Sequence, residues 1–92
     1  MNYEISKTVR FKKDFKLIVK RNYNLTKFET LLNLLISGEE LPTKCKEHLL
    51  INNFKGHFDC HIEPDWLLIF KRDDNERLIT LVRTGTHSDI FG

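Results

Sequence analysis

Apolar residues recur at two different periods along this chain, and the change of period divides it. Tyr3 and Ile5 alternate with polar neighbours over residues 2–8, the pattern of a first strand. Phe11, Phe15, Ile18 and Val19 then recur at helical spacing and leave the lysines outside. This spacing predicts a helix over 10–22. Asn22-Tyr23-Asn24 breaks it. Thr26 and Glu29 form a Thr-x-x-Glu capping box, which would satisfy the first backbone donors of a second helix. Leu25, Phe28, Leu31, Leu32, Leu35 and Ile36 make its apolar stripe, and Gly38 suits its C-terminal cap. The short connection predicts two adjacent antiparallel helices.

Residues 39–52 have no regular period, and Pro42 opens a loop. From 54 the period is two. Phe58, Cys60 and Ile62 point one way; His57, Asp59 and His61 point the other. Pro64-Asp65 makes a turn. Trp66 to Phe70 is a continuous apolar strand, expected to be covered on both faces. Asp73-Asp74-Asn75 turns the chain, Arg77 to Arg83 returns as a strand, and Gly85 ends it ahead of a short tail from Thr86. The sum is a β-α-α-β-β-β order: two N-terminal helices packed on a small antiparallel sheet, an α+β fold.

Ninety-two residues predict one domain, 1–92, with a small core. With 40% hydrophobic and 30% charged residues the composition is that of a globular protein. No apolar run approaches the roughly 20 residues that span a bilayer. Met1-Asn2-Tyr3-Glu4 shows no signal-peptide pattern, and Cys45 and Cys60 are too few for a disulfide scaffold. A cytoplasmic protein with both thiols reduced is expected, with no membrane partner.

Net charge is +2, but it is unevenly spread. Residues 1–50 carry ten Lys/Arg against six Asp/Glu; residues 51–92 carry five against seven. The excess concentrates at Lys7, Arg10, Lys12, Lys13, Lys16, Lys20 and Arg21, against Asp14 alone. Such a face concentrates polyanions. The plain alternative is a solvated helix surface.

All four histidines, His48, His57, His61 and His87, lie beyond residue 47. Proton transfer near neutral pH needs groups that titrate there, and histidine does so unperturbed. A single histidine is most often an ordinary surface or core residue. The His57, Asp59, His61 face is harder to dismiss, because a core would not want it. A metal set of His57, Asp59, His61 and His87 is the rival chemistry, but the spacing matches no strong zinc pattern. No metal and no cofactor are therefore expected. Trp66 and Phe91 could stack on unpaired bases, although a tryptophan opening a strand is more often core. Arg83 and Lys71 border strands and could neutralise phosphate charge.

The run His61-Ile62-Glu63-Pro64-Asp65-Trp66, with Arg83-Thr84-Gly85-Thr86-His87 and Ile90-Phe91-Gly92, resembles the YafQ group of the RelE/ParE toxin superfamily. The order of elements agrees along almost the whole chain. The resemblance implies a RelE-like microbial ribonuclease architecture. It implies a type II toxin that cuts mRNA in the ribosomal A site and is neutralised by a cognate antitoxin protein. Its catalytic residues match His48, His61, Asp65 and His87; its substrate contacts match Arg83, Trp66 and Phe91. Phe58 stands where the family often has arginine, and His57 where it often has an aromatic residue.

The chemistry expected is metal-free transesterification. His87 would be the general acid, with Asp65 or His61 as the base. His48 and Arg83 would stabilise phosphate charge, and Lys12, Lys13, Lys16 and Lys20 would face the ribosome. The alternative is a ParE-like toxin of the same fold that binds DNA gyrase and has no nuclease activity. The histidine set argues against it, because a pure binder needs no titrating cluster.

Overall fold

The computed structural model describes residues 2–41, 48–49 and 56–92, with the main chain alone for His48 and Leu49. In chain order it forms β1 (Glu4–Lys7), α1 (Val9–Lys20), α2 (Leu25–Ser37), β2 (His48–Leu49), β3 (Phe58–Glu63), β4 (Trp66–Asp73), β5 (Leu78–Gly85) and α3 (His87–Phe91). The five strands make one sheet in the order β1-β5-β4-β3-β2. The α+β class and the two helices on a sheet are as expected. Two elements are additional: the short strand β2, and α3 in what reads as a tail.

The sheet is mixed. β2 through β5 are antiparallel, but β1 pairs parallel with β5, Ile5 opposite Ile79. The α1–α2 excursion explains this, because a strand returning after helical crossovers need not reverse direction. The expectation of a purely antiparallel sheet is corrected at that edge.

The apolar periods become the core. Phe11, Ile18, Phe28, Leu31 and Leu35 from the helices pack with Cys60, Trp66, Leu68, Phe70, Ile79 and Leu81 from the sheet. Phe28 lies 5.0 Å from Phe15 and 6.1 Å from Phe11, ring to ring, which joins α1 to α2. Each such side chain contributes roughly 1.5–3 kcal/mol when fully buried. β4 is the central strand, and Trp66 to Phe70 are buried on both faces, as the unbroken apolar run predicts. Cys60 is a buried thiol. Cys45, Pro42 and the expected loop around them lie outside the described residues.

Two local expectations are corrected. The second helix does not start on a Thr26–Glu29 box. Asn24 is its N-cap and accepts from the Thr26 amide at 3.1 Å. The earlier start brings Leu25, which packs on the core, into the helix. The capping box is instead in α3, between Thr86 and Asp89. The C-cap at Gly38 is left-handed, φ 75°, as expected.

The β3 alternation also holds only in part. Asp59 is 4% exposed, so the face it shares with His57 and His61 is not an open polar surface. Asp59 sits inside the sheet, opposite Ile69 on β4 and opposite His48 on β2.

Between β4 and β5 a bulge falls at Val82. Phe70 faces Leu81, and Ile69 then faces Arg83. The extra residue sets Thr84 opposite Leu68, on the helix-covered side. Bulges re-aim side chains in this way beside functional sites.

Candidate active site

The end of β5 carries the site. Thr84 lies inside, where its hydroxyl donates to the Leu67 carbonyl at 2.7 Å and accepts the Trp66 indole N–H at 2.9 Å. The Trp66 ring meets Tyr23 edge-on at 5.0 Å and is 1% exposed. The expectation that Trp66 stacks on a base is corrected: its faces are occupied by core, and its one polar atom is already bonded. It supports the strand end from below.

Gly85 then turns the chain at φ 151°, a left-handed region that favours glycine, and α3 begins. Thr86 is its N-cap and His87 its first residue. Asp65, in the β3–β4 turn, reaches His87 twice. One carboxylate oxygen, Oδ1, accepts from the His87 main-chain N–H at 3.0 Å and contacts ring Nδ1 at 2.7 Å. Those two contacts hold the Asp65 carboxyl below the usual carboxylate range, the main-chain one contributing most. Both side chains remain accessible, His87 at 54% and Asp65 at 66%.

His61, on β3, stands beside this pair. Its ring centre is 5.6 Å from that of His87, and its Nδ1 is 3.3 Å from the Pro64 carbonyl. Phe91, at the far end of α3, lies 6.4 Å from the His87 ring and is 51% exposed. Three of the four expected catalytic residues, with Phe91, thus share one open corner. His48 is placed only by register, opposite Asp59 on β3, and its side chain lies outside the described residues.

Arg83 is not presented to solvent. Its side chain is 12% exposed; Nε donates to Asp14 at 2.6 Å, and Nη2 donates to Asp14 at 3.3 Å and to the Asp89 carbonyl at 3.2 Å. In this arrangement Arg83 links Asp14 on α1 to the main chain of α3, beside the corner that carries His87. Lys12, Lys13, Lys16 and Lys20 are exposed along α1, with Val9, Leu17 and Val19 among them.

The pattern reading missed three residues here. Asp14 binds Arg83 and accepts from the Thr84 amide at 3.2 Å. A lone acid on a basic helix was its signal. Asp89 caps α3 and pairs with Arg21 at 2.6 Å. Its Thr-x-x-Asp spacing from Thr86 was readable as a box. Nothing in the pattern separates Arg21 from the other basic residues around it.

Two helices on a sheet, with an aspartate–histidine pair and a second histidine on an open corner, define a small α+β protein with the groups for acid–base chemistry at one sheet end. Residues 3–92 match the family described as "Bacterial toxin of type II toxin-antitoxin system, YafQ". The mRNA interferase toxin YafQ of Escherichia coli strain B / BL21-DE3 is 42% identical over 90 residues, 97% of this chain and 96% of that protein. The crystal structure of YafQ from E. coli strain BL21(DE3) superposes with a TM-score of 0.91 at 41% identity, covering 98% of this chain and 99% of the other. YafQ in the E. coli DinJ–YafQ toxin–antitoxin complex gives 0.90 at 40% identity, covering 100% of both. The chain belongs to the YafQ family of type II toxin–antitoxin toxins. Among the described residues no helix is long and apolar enough to cross a membrane.

Proposed function

We propose that this chain is an mRNA interferase, an endoribonuclease that cuts translated message in the ribosomal A site by metal-independent acid–base chemistry. The observation that carries the reading is the Asp65–His87 contact with His61 beside it. The names of the E. coli relatives support the substrate class.

The geometry supports one division of labour. Asp65 orients the His87 ring and balances its positive charge, so it acts through His87 and not as the base. With Nδ1 held by Asp65, Nε2 of His87 is the atom that faces substrate. In His61, an Nδ1–H donated to Pro64 leaves the Nε2 lone pair for proton abstraction. His61 takes the proton of the ribose 2′-OH. The 2′-oxygen bonds to the adjacent phosphorus as the P–O5′ bond breaks. His87 delivers its Nε2 proton to the departing 5′-oxygen. The products are a 2′,3′-cyclic phosphate and a 5′-hydroxyl end. His48 stabilises phosphate charge, and Phe91 positions a base by stacking. The lysines of α1 contact the ribosome. The protein partner is an antitoxin, as DinJ is for E. coli YafQ in its complex. The gyrase-binding alternative draws no support from these comparisons.

Mapping message ends after brief induction tests the reading. New 5′ ends inside codons, lost in His87→Ala and on co-expression of the antitoxin, are expected. The same cut on translating ribosomes should survive a chelator of transition metals. Intact message accompanied by DNA damage would point to gyrase; cleavage abolished by the chelator would remove the metal-independent step.

A further inference from the structure

α3 is five residues long and buries none of them. A single turn has no stability of its own, since nucleation is costly. Yet it carries both His87 and Phe91. Something other than apolar packing must fix where these rings stand.

The polar contacts converge on Asp89. Its Oδ2 accepts from the Thr86 amide at 2.9 Å, and its own amide donates to Thr86 Oγ1 at 3.0 Å. Its two carboxylate oxygens take both terminal nitrogens of Arg21, at 2.6 and 3.1 Å. A bidentate pair fixes orientation as well as distance. Its carbonyl accepts from Arg83. Gly85 presses on the same side chain: a Cβ there would come within 2.9 Å of Asp89. Arg21 is the C-cap of α1, so these bonds tie the end of one helix to the start of another.

We propose that Arg21 and Asp89 are positioning residues of the nuclease centre, latching α3 to the end of α1 so that His87 keeps its ring on Asp65. The proposal rests on the nuclease reading above. It also removes Arg21 from the polyanion-binding face to which its charge would assign it. The two side chains are 33% and 25% exposed. A pair that open to water adds little to global stability. Its loss therefore acts on geometry while the domain stays folded.

Three variants test this: Arg21→Ala, Arg21→Lys and Asp89→Asn. Two quantities are read on programmed ribosomes, the single-turnover cleavage rate at saturation and the half-saturating ribosome concentration. A third is read in the free protein, the nitrogen–proton NMR signals of the His87 ring against pH. Misplacing a catalytic group by about 1 Å costs about 100-fold, so Arg21→Ala and Asp89→Asn should lose about that in rate, with half-saturation changed by less than about twofold. Arg21→Lys keeps the charge without the fork and should recover part of the rate. The His87 titration and tautomer signals should move in the same order. Unchanged His87 signals with an unchanged saturated rate would overturn the proposal. So would Arg21→Ala raising half-saturation alone, which would make Arg21 a ribosome contact. A wild-type protein that cleaves no message would sink the nuclease reading, while the NMR arm would still decide the latch.

Discussion

Asp65 holds His87 at two points with one oxygen, the ring Nδ1 at 2.7 Å and the main-chain N–H at 3.0 Å. Ring and helix start are thereby set by the same atom. Asp65→Asn keeps the shape but loses the charge that balances a protonated ring. The saturated cleavage rate should fall by about 10²–10⁴-fold, the range of a lost acid–base partner, with thermal stability near that of the wild type. Stopped-rate assays on programmed ribosomes give the answer. An Asn variant as fast as the parent would remove Asp65 from the mechanism.

Phe91 is half exposed, so its removal should not disturb the fold. Phe91→Ala should change stability by less than about 0.5 kcal/mol. Base stacking is worth about 1–3 kcal/mol by alanine substitution, so the half-saturating substrate concentration should rise about 10- to 100-fold. Loss of stability without loss of affinity would make it a packing residue.

Trp66 should behave in the opposite way. Its indole N–H bonds Thr84 within the core. Trp66→Phe removes that donor and should cost about 1–3 kcal/mol in a urea unfolding experiment. The folded fraction should cleave at nearly the parental rate. A folded, stable variant with weakened substrate binding would restore the stacking role.

The lysines of α1 make an electrostatic prediction. Reversing Lys12, Lys13, Lys16 and Lys20 singly should weaken ribosome binding most at low salt. Removing one lysine–phosphate pairing should flatten the slope of log affinity on log salt by roughly 0.7–0.9. Binding insensitive to both salt and reversal would turn this face toward the antitoxin.

Acid should weaken the fold in a defined range. His87 lowers the Asp65 carboxyl; Arg21 first, then the Thr86 amide, lowers that of Asp89 well below the usual range. A native value below the unfolded one gives stabilisation that is complete above the unfolded value and lost as pH falls through the native one. Both groups are open to water, so their contribution is small; it should be complete down to about pH 4, near the unfolded carboxyl value, and progressively less below it. Urea midpoints against pH read this directly. Asp89→Asn should shallow the acid limb; an identical limb would show that Asp89 is not held in this way.

The helices and strands were legible because they are long enough to show a period. Phe11, Phe15 and Ile18 define α1, and the run from Trp66 defines the central strand. α3 is too short for periodicity, and only its capping spacing announced it. The same spacing at Thr26 and Glu29 misled, because a box is a local option, and Leu25 gains more by packing inside the helix. The period of two placed Asp59 and His61 on one face, but alternation does not report depth: Asp59 is buried and His61 only partly so. His61, Asp65 and His87 were legible as chemistry through the motif they share. Arg21 and Asp14 were not, because their partners lie about 70 positions away, beyond the reach of any local pattern.

That separation has a consequence for when the corner assembles. The contacts between Arg21 and Asp89, and between Asp14 and Arg83, span 68 and 69 positions, and β1 pairs with β5 across a similar gap. Closing loops of that size comes late in folding, after local helices have formed. A nascent chain that has not yet emitted β5 and α3 carries the basic helix but no cutting corner. The corner of Asp65, His87 and Phe91 therefore assembles only after β5 and α3 have been made, while the basic helix α1 can form before them.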